Sequence, residues 1–370
     1  MTTNFFLIAA PYLHNNGNSL DIESDIFFYL KNCFENFDNK FDYARFKIDK
    51  NNKLTLDIEY LNNNLNKDHV LVIDANFSIG DSSQIYPEEM LNIITKYKNK
   101  IISIVPDLIK KTDLKTWLNI SKILISFSKS GVDWSNEKFK TNKFKYYPSF
   151  PIKKIGNYTL ENFKNRPYDI GYIGSNKIFR VNFLASMLRK GGNKISSLII
   201  SSFRSSDLIK STMDYLKLMT KCKFYFCTRA TFYEKYKNTP FNTQIYDGHF
   251  ANRVNEAIAS GCIPLYWQPK KGGAISSFLR EKFFHSHSFK YNTFENTSYD
   301  KNSLPYDHLE TNLLPAIKIA RDSKDAIKII RSKNDEDLNN TISVGNKLYE
   351  KYIKPKQIIN FIEENLIKND

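Results

Sequence analysis

The chain has 370 residues, 41% hydrophobic and 14% aromatic, which is more apolar material than one simple core absorbs and suits two domains. Its net charge of +15, from 54 Lys and Arg against 39 Asp and Glu, admits nucleic acid, an anionic membrane face or a phosphorylated substrate as partner. The basic residues are dispersed, with no long basic block and no zinc-finger or RNP-like pattern, which argues against nucleic acid.

No apolar run reaches the length of a membrane span, and residues 1–10 lack the basic start and apolar length of a secretory signal. The expected location is therefore the cytoplasm, with peripheral contact at a membrane face allowed by the charge. Four cysteines (Cys33, Cys222, Cys227 and Cys262) show no CxxC pairing and no metal-ligand spacing with the six histidines, so buried free thiols are expected.

In chain order, Phe5 to Ala10 reads as a strand and Ile22 to Phe34 as a helix, with Ile22, Ile26, Phe27 and Leu30 on one stripe. Phe41 to Ile48 and Leu54 to Tyr60 suggest a strand pair, and Val70 to Ile73 a buried strand. Pro87 opens a helix running through Tyr97, with Glu88 and Glu89 near its positive end. Ile101 to Val105 and Ile123 to Phe127 complete a first strand series.

Residues 151–166, with Pro151, Gly156 and several charges, lack periodicity and read as a linker. A second series follows. Tyr168 to Ile173 is a strand, Lys177 to Arg189 a helix, Ile195 to Ile200 a strand, Leu208 to Thr220 a helix, and Lys223 to Cys227 a strand. Residues from Ala316 onward read as helical, ending in an amphipathic helix from Pro355 to Ile367. Apolar strands alternating with helices argue for an α/β fold of parallel sheets covered on both faces. The expected division is 1–150, a linker at 151–166, a second domain at 167–350 and a terminal helix in 351–370.

The densest local pattern is Asn252 to Trp267. Val254, Ala257 and Ile258 fall on one helical face, Arg253 and Glu256 stand at i,i+3 spacing, Gly261 ends the helix, and Ile263 to Tyr266 is an apolar strand. A cation and a carboxylate at a helix start suit a ligand that is anionic at one end and hydroxylated at the other, such as a nucleoside diphosphate. Upstream, Tyr168 to Gly174 leads through Ser175, a good N-cap, into a helix bearing Arg180, an arrangement suited to an anion. The strand Lys223 to Cys227 ends at Thr228 and Arg229, and ligands of open α/β sheets bind beyond the carboxyl ends of strands. Asp335-Glu336-Asp337 lacks a preceding apolar strand and reads as a solvated helix boundary, not as a metal-binding Asp-x-Asp.

The run Arg253-x-x-Glu256-Ala257-x-x-x-Gly261-Cys262-Ile263-Pro264 resembles the donor-binding segment of glycosyltransferases with two Rossmann-like domains (GT-B type), especially exostosin-like enzymes. The specific part of the likeness spans about Asp169 to Trp267. About twenty residues, Ala230 to Phe250, separate Arg229 from the motif helix, a departure from that family's pattern.

The resemblance implies two Rossmann-like domains facing across a cleft, with the terminal helix crossing back to the first. It implies metal-independent transfer of a sugar from a nucleotide-sugar co-substrate, with no other cofactor, to a glycan or glycolipid hydroxyl. The expected nucleotide-sugar contacts are Gly174, Ser175, Arg180, Arg229, Arg253 (diphosphate) and Glu256 (ribose). In the first domain His14, Asp74 and Asp81 are the candidates for acid–base work. Rival readings are a nucleotide-sugar epimerase on the same scaffold and a non-catalytic basic protein binding nucleic acid or membrane; assays with a panel of nucleotide sugars separate the three.

Overall fold

The computed structural model describes residues 3–10, 29–31, 41–50, 53–75, 77–80, 85–105, 114–127, 129–148, 151–156, 158–174, 178–200, 212–227, 252–267 and 312–367. The chain divides into two compact units, one of residues 1–153 with 354–370 and one of residues 154–353. Each is built on a parallel sheet flanked by helices.

In the first unit the strands are β1 (Asn4–Ile8), β2 (Phe41–Tyr43), the antiparallel pair β3 (Phe46–Ile48) and β4 (Leu54–Leu56), β5 (His69–Asp74), β6 (Ile101–Val105), β7 (Ile123–Ser126) and β8 (Phe144–Tyr146). The main sheet runs β2-β1-β5-β6-β7-β8, all parallel. Strands β5 and β6 are buried at every position, as a sheet covered on both faces requires. Trp117, Tyr86, Phe6 and Leu71 anchor this core.

The expected strand Phe41 to Ile48 is in fact two, because β2 joins the main sheet beside β1 while β3 turns away to pair with β4. The second expected partner, Leu54 to Tyr60, also stops short. Asp57 accepts the N–H of Tyr60 at 3.3 Å and so caps a helix at Ile58–Asn64. The helix Pro355–Ile367 belongs to this unit, with Phe361 5.1 Å from Tyr147 ring to ring and Glu363 accepting from the Thr3 hydroxyl at 3.1 Å.

The second unit contains β9 (Tyr168–Ile173), β10 (Ser197–Ile200), β11 (Cys222–Cys227), β12 (Ile263–Trp267) and β13 (Lys318–Ala320), in the parallel order β10-β9-β11-β12-β13. β13 lies where a helix was expected from Ala316 onward. Helix resumes at Ser323–Ile330, where Asp322 accepts from the N–H groups of Lys324 and Asp325.

The expected linker contributes to this core. Tyr158 and Phe163 are buried, and Phe163 meets Phe224 edge-on at 5.6 Å. Asp335, Glu336 and Asp337 form the first turn of the helix Asp335–Leu348, behind the cap of Asn334. Two of those acids are paired, Asp337 with Lys318 at 2.8 Å and Asp335 with Lys164. Acids at a helix start are favoured by its dipole and account for this triplet without a ligand.

In both sheets the winding reverses beside the first strand, between β1 and β5 in one unit and between β9 and β11 in the other. In open α/β sheets such a reversal is where ligands bind, beyond the carboxyl ends of the strands. Among the described residues no helix is long and apolar enough to cross a membrane.

Candidate functional site

The helix Asn252–Ala259 is the next described element after β11, and its amphipathic pattern fixes its orientation. Val254, Ala257 and Ile258 are buried against the sheet. Its end is set by a pair of backbone bonds, Cys262 N–H to Ala257 O at 2.8 Å and Gly261 N–H to Ile258 O at 3.0 Å, with Gly261 left-handed at φ +67°. This is the Schellman arrangement, which closes the carbonyls of the last turn. A helix so fixed at its far end presents Arg253 and Glu256 in a defined place.

Arg253 Nη1 donates to Glu256 Oε2 at 2.6 Å. The Glu256 side chain is wholly buried, whereas Arg253 keeps 27% of its side-chain surface. Tyr215, on the helix Thr212–Met219, donates its hydroxyl to the same oxygen at 2.6 Å, and its ring lies under the guanidinium, 4.5 Å from Cζ. The Tyr225 hydroxyl stands 3.3 Å from that of Tyr215, accepts from Ile173 N at 2.9 Å and lies 3.1 Å from Ile173 O.

Tyr215 has one proton and gives it to the carboxylate. Tyr225 must therefore share its own between Tyr215 and the Ile173 carbonyl. Burial pushes the Tyr225 phenol up, and the nearby Glu256 adds to this while Arg253 opposes it; the phenol stays protonated. Tyr225 stands opposite Gly171, where a side chain would press on both its ring and Cys222.

Arg180 and the Gly174 turn meet at Tyr172. Arg180 Nη1 lies 3.3 Å from the Tyr172 hydroxyl, and a Cβ placed at Gly174 would come 3.0 Å from that oxygen. Gly174 N–H is already engaged with Ile200 O at 3.0 Å, extending the β9–β10 ladder. The Cys227 thiol lies buried at the end of β11. Burial and Glu256 push it up, while Arg253 and Arg180 pull it down. Arg180, through Tyr172, and Arg253 with Glu256, through Tyr215, Tyr225 and the Ile173 backbone, are each tied to the carboxyl end of β9, beside which the winding of the sheet reverses.

In the other unit Asp74, 1% exposed, ends β5 at the corresponding reversal. The Tyr86 hydroxyl lies 2.9 Å from Asp74 O and 3.4 Å from Ile8 O, bridging the ends of β5 and β1. His14, Asp81, Ser175 and Arg229 lie outside the described residues, as does the segment 230–250.

Among the described residues no group of three His, Cys, Asp or Glu side chains comes together as a metal cage. Cys222, Cys227 and Cys262 are free and buried. Arg166 bridges Cys222 O at 2.7 Å, Ser260 O at 3.1 Å and Cys262 Sγ at 3.4 Å. Burial still pushes the Cys262 thiol up to about 11 against that cation, a buried structural thiol.

Sequence reading missed Tyr215, Tyr225, Tyr172 and Arg166. The signal for the first three was tyrosine in place of phenylalanine at buried positions, because a buried phenol demands a partner. A comparison with models of known protein families finds no match, and a search of curated proteins finds none either.

Proposed function

We propose that the protein is a metal-independent glycosyltransferase that moves a sugar from a nucleotide-sugar donor to a hydroxyl of a glycan or glycolipid, with its two units as the paired Rossmann-like domains of such an enzyme. The observation that carries this reading is Arg253, a guanidinium held by a buried carboxylate and an aromatic ring and tied through them to the carboxyl end of β9. A planar fork of donors matches diphosphate oxygens, and its charge stabilises the diphosphate as it leaves.

Arg180, beside the Gly174 turn, adds a second cation, and Ser175 and Arg229 complete the donor set. Asp74, with His14 and Asp81, supplies the candidates for accepting the proton of the attacking hydroxyl. The basic surface suits an acceptor presented at an anionic membrane face.

Transfer or donor hydrolysis across a panel of nucleotide sugars tests the activity directly. Arg253→Lys tests the site. It keeps a cation for the buried Glu256, which alanine would leave without its partner, but it removes the fork. The expected outcome is a loss of about 1.5–3 kcal/mol in UDP or GDP affinity, with uridine or guanosine affinity unchanged. Unchanged diphosphate affinity by calorimetry in a folded Arg253→Lys protein removes this site. Activity is also expected to survive EDTA; loss on chelation with recovery on adding Mg or Mn would rule out a phosphate site made of arginines alone.

A further inference from the structure

Behind Arg253 lies a buried chain of hydrogen-bonded groups. A carboxylate that touches a ribose needs an oxygen at the site surface. Glu256 has no exposed side-chain surface, and its Oε2 accepts from two donors at 2.6 Å, Arg253 Nη1 and the Tyr215 hydroxyl. From Tyr215 the chain continues through Tyr225, at 3.3 Å, to the backbone of Ile173, the residue before the Gly174 turn.

The guanidinium is consequently fixed from two directions. The carboxylate holds Nη1, and the Tyr215 ring supports Cζ from below at 4.5 Å. One tyrosine makes both contacts, since its ring carries the arginine and its hydroxyl carries the arginine's carboxylate.

We infer that Glu256, Tyr215 and Tyr225 are positioning residues that lock Arg253 to the Ile173–Gly174 turn as one preorganised receptor for a diphosphate, and that Glu256 does not contact the ribose. The inference rests on the diphosphate role proposed for Arg253. Its physical content is entropic. An arginine side chain held in place before the ligand arrives loses less freedom on binding, and an oriented donor pair gains more from each oxygen it meets. Attraction of the anion then comes from the oriented fork of Arg253 and from Arg180.

The sign of one substitution separates this role from its rivals. Were Glu256 only a nearby negative charge, Glu256→Gln would tighten anion binding by removing repulsion. Were it a ribose ligand, the same change would weaken nucleoside binding and spare the anion. As a positioning residue it weakens the anion and spares the nucleoside.

The experiment titrates the full-length protein with inorganic pyrophosphate, and separately with uridine and guanosine, in the wild type and in Tyr215→Phe, Glu256→Gln and Arg253→Lys. Tyr215→Phe keeps the ring under the guanidinium and removes only the hydroxyl. It is expected to weaken pyrophosphate by up to roughly tenfold, the cost of ordering one long side chain on binding, and to leave the nucleosides unchanged. Glu256→Gln is expected to move in the same direction and carries the test if Tyr215→Phe does not fold.

Pyrophosphate affinity that falls in Arg253→Lys but stays at the wild-type value in Tyr215→Phe and Glu256→Gln overturns the inference and leaves the diphosphate site standing. Nucleoside affinity lost in Glu256→Gln with pyrophosphate spared returns Glu256 to the ribose. Pyrophosphate affinity unmoved in Arg253→Lys removes the site itself, and the positioning role with it.

Discussion

Gly261→Ala is expected to destabilise the second unit by roughly 2–5 kcal/mol. Two separate costs produce this. Gly261 has φ +67°, a left-handed conformation that costs an L-residue with a Cβ about 1–2 kcal/mol. The added Cβ would also overlap the Tyr158 ring, whose hydroxyl donates to Ala259 O and accepts from Ile155 N at 3.2 Å. The ring cannot retreat without breaking those bonds, so overpacking adds about 1–3 kcal/mol.

The denaturant midpoint of the second unit's transition, at unchanged slope, measures the loss. In a Tyr158→Ala background the same glycine substitution should cost only the backbone part. A Gly261→Ala protein as stable as the wild type would mean that the turn is not built as described. The consequence for function is direct, because the turn at Gly261 closes the helix that carries Arg253 and Glu256.

That glycine was legible in the sequence, and the reason shows what kind of feature can be read there. Periodic, local and apolar features announce themselves. The strand Tyr168–Ile173 and the helix Pro355–Ile367 coincide with their sequence expectations at both ends, because one is bounded by Pro167 and Gly174 and the other is a clean amphipathic stripe. Arg253 and Glu256 were paired from i,i+3 spacing alone, and the pair is present at 2.6 Å.

Short elements at sheet edges were not legible. Phe144–Tyr146 and Lys318–Ala320 are three residues each, with a single buried residue apiece, and take their conformation from the strand beside them. Ile58–Asn64 was hidden for a different reason. Its strand-like apolar residues are overruled by the Asp57 cap.

Non-local chemistry was invisible in the same way. Nothing near Tyr215 in sequence marks its hydroxyl as the partner of a carboxylate 41 residues later, and nothing near Arg166 points to Ser260 and Cys262. Such contacts depend on the order of the strands, which the alternation of strands and helices leaves open. Once the order places β9 against β11, the tyrosine chain and the Gly174 turn fall at one point of the sheet.

Asp74→Asn is expected to lower turnover by about two to four orders of magnitude, the usual range for losing a general base. The hypothesis is motivated by position. Asp74 ends β5 where the winding of the first sheet reverses, the same topological place to which Arg180 and Arg253 are tied in the second. Its backbone is fixed by the Tyr86 hydroxyl at 2.9 Å and the residue is 1% exposed, so service as a base requires the carboxylate to turn out beyond the strand end when the acceptor binds.

Asparagine keeps the shape of aspartate and removes the proton acceptor, so folding should be retained. Nucleotide and pyrophosphate affinity should stay at wild-type values, since the residues proposed to hold them belong to the other unit. Steady-state turnover with saturating donor, alongside calorimetry, separates the two effects. A parallel loss of donor affinity would instead show Asp74 to be a binding or folding residue. Near-normal turnover would retire Asp74 as the base and pass the role to His14 or Asp81, or to a retaining mechanism in which the enzyme supplies no base at all.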